Sequence, residues 1–184
     1  MAEALAEYTV RAAELDTSAA GLALAQAQEL NHQPREALAP LERQPPEALA
    51  DPQVLAFHAQ LLRELGSPDA ALAVLEPATG GRDPELSRLR AELLVTAHRA
   101  PEALAEYGRA LVLGADPQAC LERVGELWTA QAVPLEAVLA ALGLAYAALP
   151  DPAPVRRWVQ GKLPADDPRV QVWLAGHGAG AASG

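Results

Sequence analysis

Few residues in this chain have types suited to chemistry, and their spacing decides what they can do. The histidines are His32, His58, His98 and His177, and Cys120 is the only cysteine. A metal site needs several imidazole, thiolate or carboxylate ligands at short spacings such as HExxH. None of these five residues has such a partner along the sequence. His32 and His98 each stand just before an alanine- and leucine-rich segment, where an imidazole can meet the last carbonyls of a preceding helix. Cys120 lies close behind Asp116-Pro117, and a thiol near a helix start can ionise more readily. The alternative for Cys120 is a packed, unreactive thiol. Glu122 and Glu126 are one helical turn apart, a spacing that serves either acid–base work or a solvated acidic face. Gly80-Gly81-Arg82 lacks the rest of a phosphate loop and reads as a turn, and GxGxxG, GxxxxGK[ST] and GxSxG are absent. The expectation is a protein without catalysis, cofactor or metal.

The elements that hold these residues are announced by aspartate and proline. Asp16, Asp51, Asp83, Asp116 and Asp151 follow one another at steps of 35, 32, 33 and 35, and the last four precede a proline directly. An Asp carboxylate accepts bonds from the free N–H groups of a first helical turn, and proline suits the next position, where no N–H is required. A second series, Pro34, Pro68, Pro101 and Pro134, opens the segments PREALAPLE, PDAALAVLE, PEALAEYGRAL and PLEAVLAAL. Each unit is therefore a pair of helices joined by a short turn such as Leu65-Gly66-Ser67-Pro68. Leu86, Leu89, Leu93 and Leu94 share one helical face, as do Leu121, Val124 and Trp128, and no stretch alternates with period two. The fold class is all-α.

The hexapeptide EALAEY occurs at Glu3–Tyr8 and again at Glu102–Tyr107, an offset of 99, or three periods of 33. Repeats of this length belong to stacked helical units. Since the second copy begins the second helix of a pair, residues 1–15 are expected to form a lone helix, half a repeat. Small residues at Ala59, Ala91, Ala71, Ala103, Ala78, Ala110, Gly125 and Ala137, with large ones at Leu75, Tyr107, Leu121 and Val124, resemble the tetratricopeptide repeat (TPR). The resemblance covers about Asp16 to Pro150 as four degenerate helix pairs, and is best from Gln118 to Leu144. It implies an α-solenoid of antiparallel pairs with a right-handed superhelix. Pro40 and Pro77 depart from it, because proline inside a helix removes a backbone bond, and those helices should be kinked or cut short. Gly21 also replaces an expected large residue. Residues 151–175, which hold Trp158 and Trp173, are expected to cap the array, with Val155, Trp158, Val159 and Leu163 as its apolar cover. Residues 176–184, GHGAGAASG, carry too little apolar side chain to order themselves.

The resemblance also implies a binding groove lined by first helices. Carried over position by position, it shows Gln53, Gln60, Arg63 and Glu64, then Arg88, Glu92, Val95 and Thr96, then Glu122, Glu126 and Thr129. Arg63 and Arg88 are candidates to hold a carboxylate bidentately; the alternative is surface ion pairing with Glu64 and Glu92. A lysine–asparagine clamp is absent, since Asn31 and Lys162 are the only residues of their types. The expected function is a protein–protein interaction scaffold that takes a peptide or helix. The competing readings are a structural module self-associating through its terminal helices and a regulatory helical domain of a larger signalling protein. The net charge is −10, from 24 acidic and 14 basic residues. That balance disfavours nucleic-acid binding, which requires phosphate neutralisation. The longest apolar stretch, Ala137 to Pro150, is too short to span a membrane. The N-terminus has no basic region of the secretory type, so a cytoplasmic setting is expected.

Overall fold

The computed structural model describes residues 25, 26, 29, 34–44, 46–78 and 80–177, and among them every regular element is helical. The lone helix expected at 1–15, Asp16 and the tail beyond His177 lie outside the described residues. The chain divides into two compact units, with the boundary between Gly81 and Arg82. The first unit contains α1 (Pro34–Glu42), α2 (Pro46–Leu49), α3 (Pro52–Glu64) and α4 (Pro68–Leu75). The second contains α5 (Pro84–Thr96), α6 (Ala100–Leu113), α7 (Pro117–Thr129), α8 (Leu135–Ala148), α9 (Ala153–Lys162) and α10 (Pro168–Gly176). This boundary falls inside the stretch 16–150 that the sequence treats as one array, and α9 and α10 belong to the unit that begins at Arg82.

Helix starts follow the aspartates. Asp51 accepts from Gln53 N at 2.8 Å, Asp83 from Glu85 N and Leu86 N at 2.9 Å, and Asp116 from Gln118 N and Ala119 N at 3.3 and 3.2 Å. Asp151 bonds Ala153 N at 3.0 Å, and Asp167, outside the regular series, starts α10 by bonding Arg169 N at 2.9 Å. The ends of α3, α5 and α7 are equally periodic. Gly66, His98 and Gln131 have φ of 75°, 58° and 54°, the left-handed conformation that closes a helix. The residue after each one bonds back across five residues: Ser67 N to Leu62 O, Arg99 N to Leu94 O, and Ala132 N to Leu127 O.

In the first unit, α3 packs on α4 and on α1 around Ala25, Ala37, Leu41, Val54 and Leu61, with Leu38, Leu49 and Phe57 against them. Pro77 has the expected effect, since α4 stops at Leu75 and Glu76–Ala78 continues as a 3-10 turn. Pro40 lies within the nine-residue α1, which ends two residues later. In the second unit each helix packs on the next, while α6 also packs on α8, α7 on α9 and α8 on α10. Of the small and large positions expected at the crossings, Ala91, Ala103 and Ala110 are fully buried, and so in effect are Tyr107 and Val124, while Gly125 and Ala137 are half-buried. Gly108 faces Ala141 of α8, where a Cβ would sit in ordinary van der Waals contact at 3.5 Å. Arg90 of α5 and Glu106 of α6 form a largely buried pair at 3.4 Å that ties these two helices. Val155 and Val159 of α9 and Leu163 just beyond its end are buried. Gly176 closes α10 and His177 is packed beyond it, two residues further than the cap was drawn from sequence.

Candidate functional site

The side chains singled out in the sequence fall into different surroundings. Gln53 and Gln60 are exposed and Arg63 is half-buried, all on α3 of the first unit. On α5, Arg88 donates through Nε to Glu85 at 2.9 Å and through Nη1 to Glu92. Burial opposes the charge on Arg88, but the two carboxylates outweigh it and raise its pKa above the ordinary guanidinium value. Arg88 thus forms the surface pairing with Glu92, and its guanidinium is occupied within its own helix. Thr96 Oγ1 donates to Glu92 O at 3.0 Å. On α7, Glu122 accepts from Gln118 Nε2 at 3.1 Å, Glu126 accepts from Arg123 Nη1 at 2.8 Å, and Thr129 Oγ1 donates to Gly125 O at 2.9 Å. On α5 and α7 these expected groove residues therefore bond within their own helices.

One cleft stands out on the first-helix side. It lies between α7 and α9, encloses about 760 Å³, and is lined by Leu121, Trp128 and Trp158 with Glu122, Glu126, Arg157 and Lys162 at its polar edges. The volume is that of a small-molecule or peptide site. Its shape depends on Gly125, because a Cβ there would lie 3.2 Å from Trp158 Cζ2. A side chain at that position would push the Trp158 ring outward by a few tenths of an ångström. The two walls differ in charge. Glu122 and Glu126 belong to α7, whereas Arg157 and Lys162 belong to α9 and form no ion pair among the described residues. Sequence reasoning placed Glu122 and Glu126 here but missed Arg157, Lys162 and the seating of Trp158. The available signal was the reversal of charge balance from Asp151 onward, from 21 acidic and 10 basic residues before it to 3 and 4.

The residues considered for chemistry have different surroundings. Cys120 is fully buried, and burial pushes its thiol up to about 11, so it is not the reactive thiolate that a helix start can produce. His98 is exposed and serves through its backbone, and its imidazole makes no hydrogen bond among the described residues. His58 is half-buried, and desolvation lowers its pKa despite the opposing charge of Glu42. His177 donates from Nδ1 to Trp173 O at 2.7 Å, stacks on Trp173 at 4.1 Å between ring centroids, and receives Tyr146 Oη on its carbonyl at 2.6 Å. His32 lies outside the described residues. No group of three or more potential metal ligands gathers among the described residues, and no described helix is long and apolar enough to cross a membrane.

The opposite side of the second unit is apolar. A hollow of about 520 Å³ between α6 and α8 is lined by Leu104, Ala105, Gly108, Val112, Ala141 and Leu144. A second, of about 750 Å³ between α8 and α10, shares Ala140 and Leu144 with the first and adds Val172 and Trp173. Leu144 and Val172 are each 73% exposed and Val112 is 43% exposed. No family model matches the chain, and neither a curated protein nor a solved structure matches it.

Proposed function

We propose that this chain is a non-catalytic protein–protein interaction module made of TPR-like helix pairs in a right-handed solenoid, with an extended peptide of a partner protein seated between α7 and α9. The cleft carries the reading: two tryptophans and two cations that form no ion pair among the described residues line one recess on the first-helix side. Tryptophan supplies contact area at little entropic cost, and an Arg or Lys at the rim gives a peptide carboxylate a charged partner. Glu122 and Glu126 on the facing wall favour a segment that also carries a basic side chain. Successive side chains of an extended peptide point to opposite sides, so one strand can serve both walls. The buried thiol of Cys120 and the stacking of His177 on Trp173 support a non-catalytic reading, and a cytoplasmic setting is part of the proposal. The TPR assignment rests on the 33-residue period, the aspartate starts and the buried small residues at the helix crossings.

The test is affinity capture with the wild type beside an Arg157→Glu/Lys162→Glu variant, with helical circular dichroism confirming the fold of both. Partners held by the wild type and lost by the variant support the cleft. Partners retained equally by both contradict it.

A further inference from the structure

We infer that the apolar side built by α6, α8 and α10 is a homodimer interface, its occupant a second copy of this chain arranged about a two-fold axis. The face carries both halves of a self-complementary fit. Leu144 projects at 73% exposure between the two hollows that it helps to line, and Val172 and Val112 flank it on the neighbouring helices. A two-fold operation brings the same patch onto itself, so the Leu144 of one copy can enter a hollow of the other. Ala105, Ala140 and Ala141 keep the floor low enough for helices of two copies to approach closely. At the edges Arg169 pairs with Asp167 at 2.6 Å and with Glu136, while Arg109 lies 3.9 Å from Glu106, the carboxylate that also serves Arg90.

Area sets the strength. The helices α6 and α8 have 14 residues each, which is about 21 Å of length. Three helices at spacings of about 9 Å then give roughly 500 Å² per copy and about 1,000 Å² in total, at the lower edge of specific interfaces. The dimer is accordingly weak, with dissociation in the micromolar to submillimolar range. The whole-chain charge of −10 makes two copies repel, so added salt strengthens the dimer by screening.

The experiment is sedimentation equilibrium of the full chain at low and high salt, with Leu144→Glu and Val172→Glu as separate variants. Both side chains are largely exposed, so neither change threatens the fold, and circular dichroism confirms this. The expected result is a mass rising toward twice the monomer with concentration, more readily in high salt, and at least tenfold weaker association in each variant. Trp158→Ala, in the α7/α9 cleft, leaves the association unchanged. A wild type still monomeric at about 1 mM overturns the inference and leaves the face to a foreign partner. Association that both glutamate variants retain overturns it equally. Neither outcome touches the peptide cleft, which is tested by its own charge reversal.

Discussion

The two sides of the unit from Arg82 onward are made of the same repeating pair, yet they are stabilised differently. Its first helices α5 and α7 start on an aspartate that bonds two backbone N–H groups, and their outward polar residues pair along the helix, as Arg88 does with Glu85 and Glu92. The second helices α6 and α8 start at Arg99 and Pro134 without any side-chain cap bond. They hold together by packing, and α8 shows Leu144 to solvent while burying Leu135, Val138, Leu139, Leu142 and Ala145. A polar side whose groups satisfy one another stays wet and leaves recognition to the few side chains without partners. An apolar side makes no directional demand and favours close packing against another surface.

The sharpest way to break this comparison is to truncate two leucines of α8. Leu142 is fully buried and Leu144 is 73% exposed. Leu142→Ala should cost about 2–5 kcal/mol in urea unfolding, and Leu144→Ala, measured at low concentration, within about 0.5 kcal/mol. Equal losses would refute the assignment of inner and outer sides. Capping comes next in size. Asp83→Ala removes bonds to Glu85 N and Leu86 N and should cost about 1 kcal/mol. At the start of the second helix α4, Ser67 makes no cap bond, so Ser67→Ala should leave the unfolding midpoint nearly unmoved.

The left-handed turns give a smaller effect of opposite sign. His98 and Gln131 adopt φ of 58° and 54° where the equivalent Gly66 has 75°. His98→Gly and Gln131→Gly should each stabilise by about 0.5 kcal/mol, since glycine relieves the strain of positive φ at some entropic cost. A loss of stability in both would contradict the shared turn geometry. The smallest effect belongs to His58, whose pKa burial lowers below its ordinary 6.5. A base depressed in the folded state contributes stability that is whole above 6.5 and declines as pH falls through its folded pKa. Between pH 7 and 5 the wild type should therefore lose stability that His58→Gln retains, as read by thermal unfolding.

Much of the fold is legible locally because its signals act within one turn of helix. Asp51, Asp83 and Asp116 cap helices where the period puts them, and Pro77 ends α4 by removing a backbone donor. The helix pairing of the second unit follows from the same spacing. Other features depend on contacts across the chain. Pro168 follows Pro134 by 34 residues, so the second proline series announces the start of α10 too, and only its contacts with α8 lie beyond that spacing. Arg88 has carboxylates at both Glu85 and Glu92, and only the folded side chains show that both hold it. Trp158 rests on Gly125, a contact between residues 33 apart that no local pattern announces. In LEAVLAALGLAYAA the apolar residues surround the helix, so periodicity has no means of telling which leucine faces out.

The central claim is that a partner peptide lies between α7 and α9, and amide hydrogen exchange on a captured complex tests it most directly. The account predicts slower exchange within Pro117–Thr129 and Ala153–Lys162 on binding, with Ala100–Leu113 and Leu135–Ala148 unchanged. Protection confined to those second helices, with α7 and α9 unaffected, would contradict it.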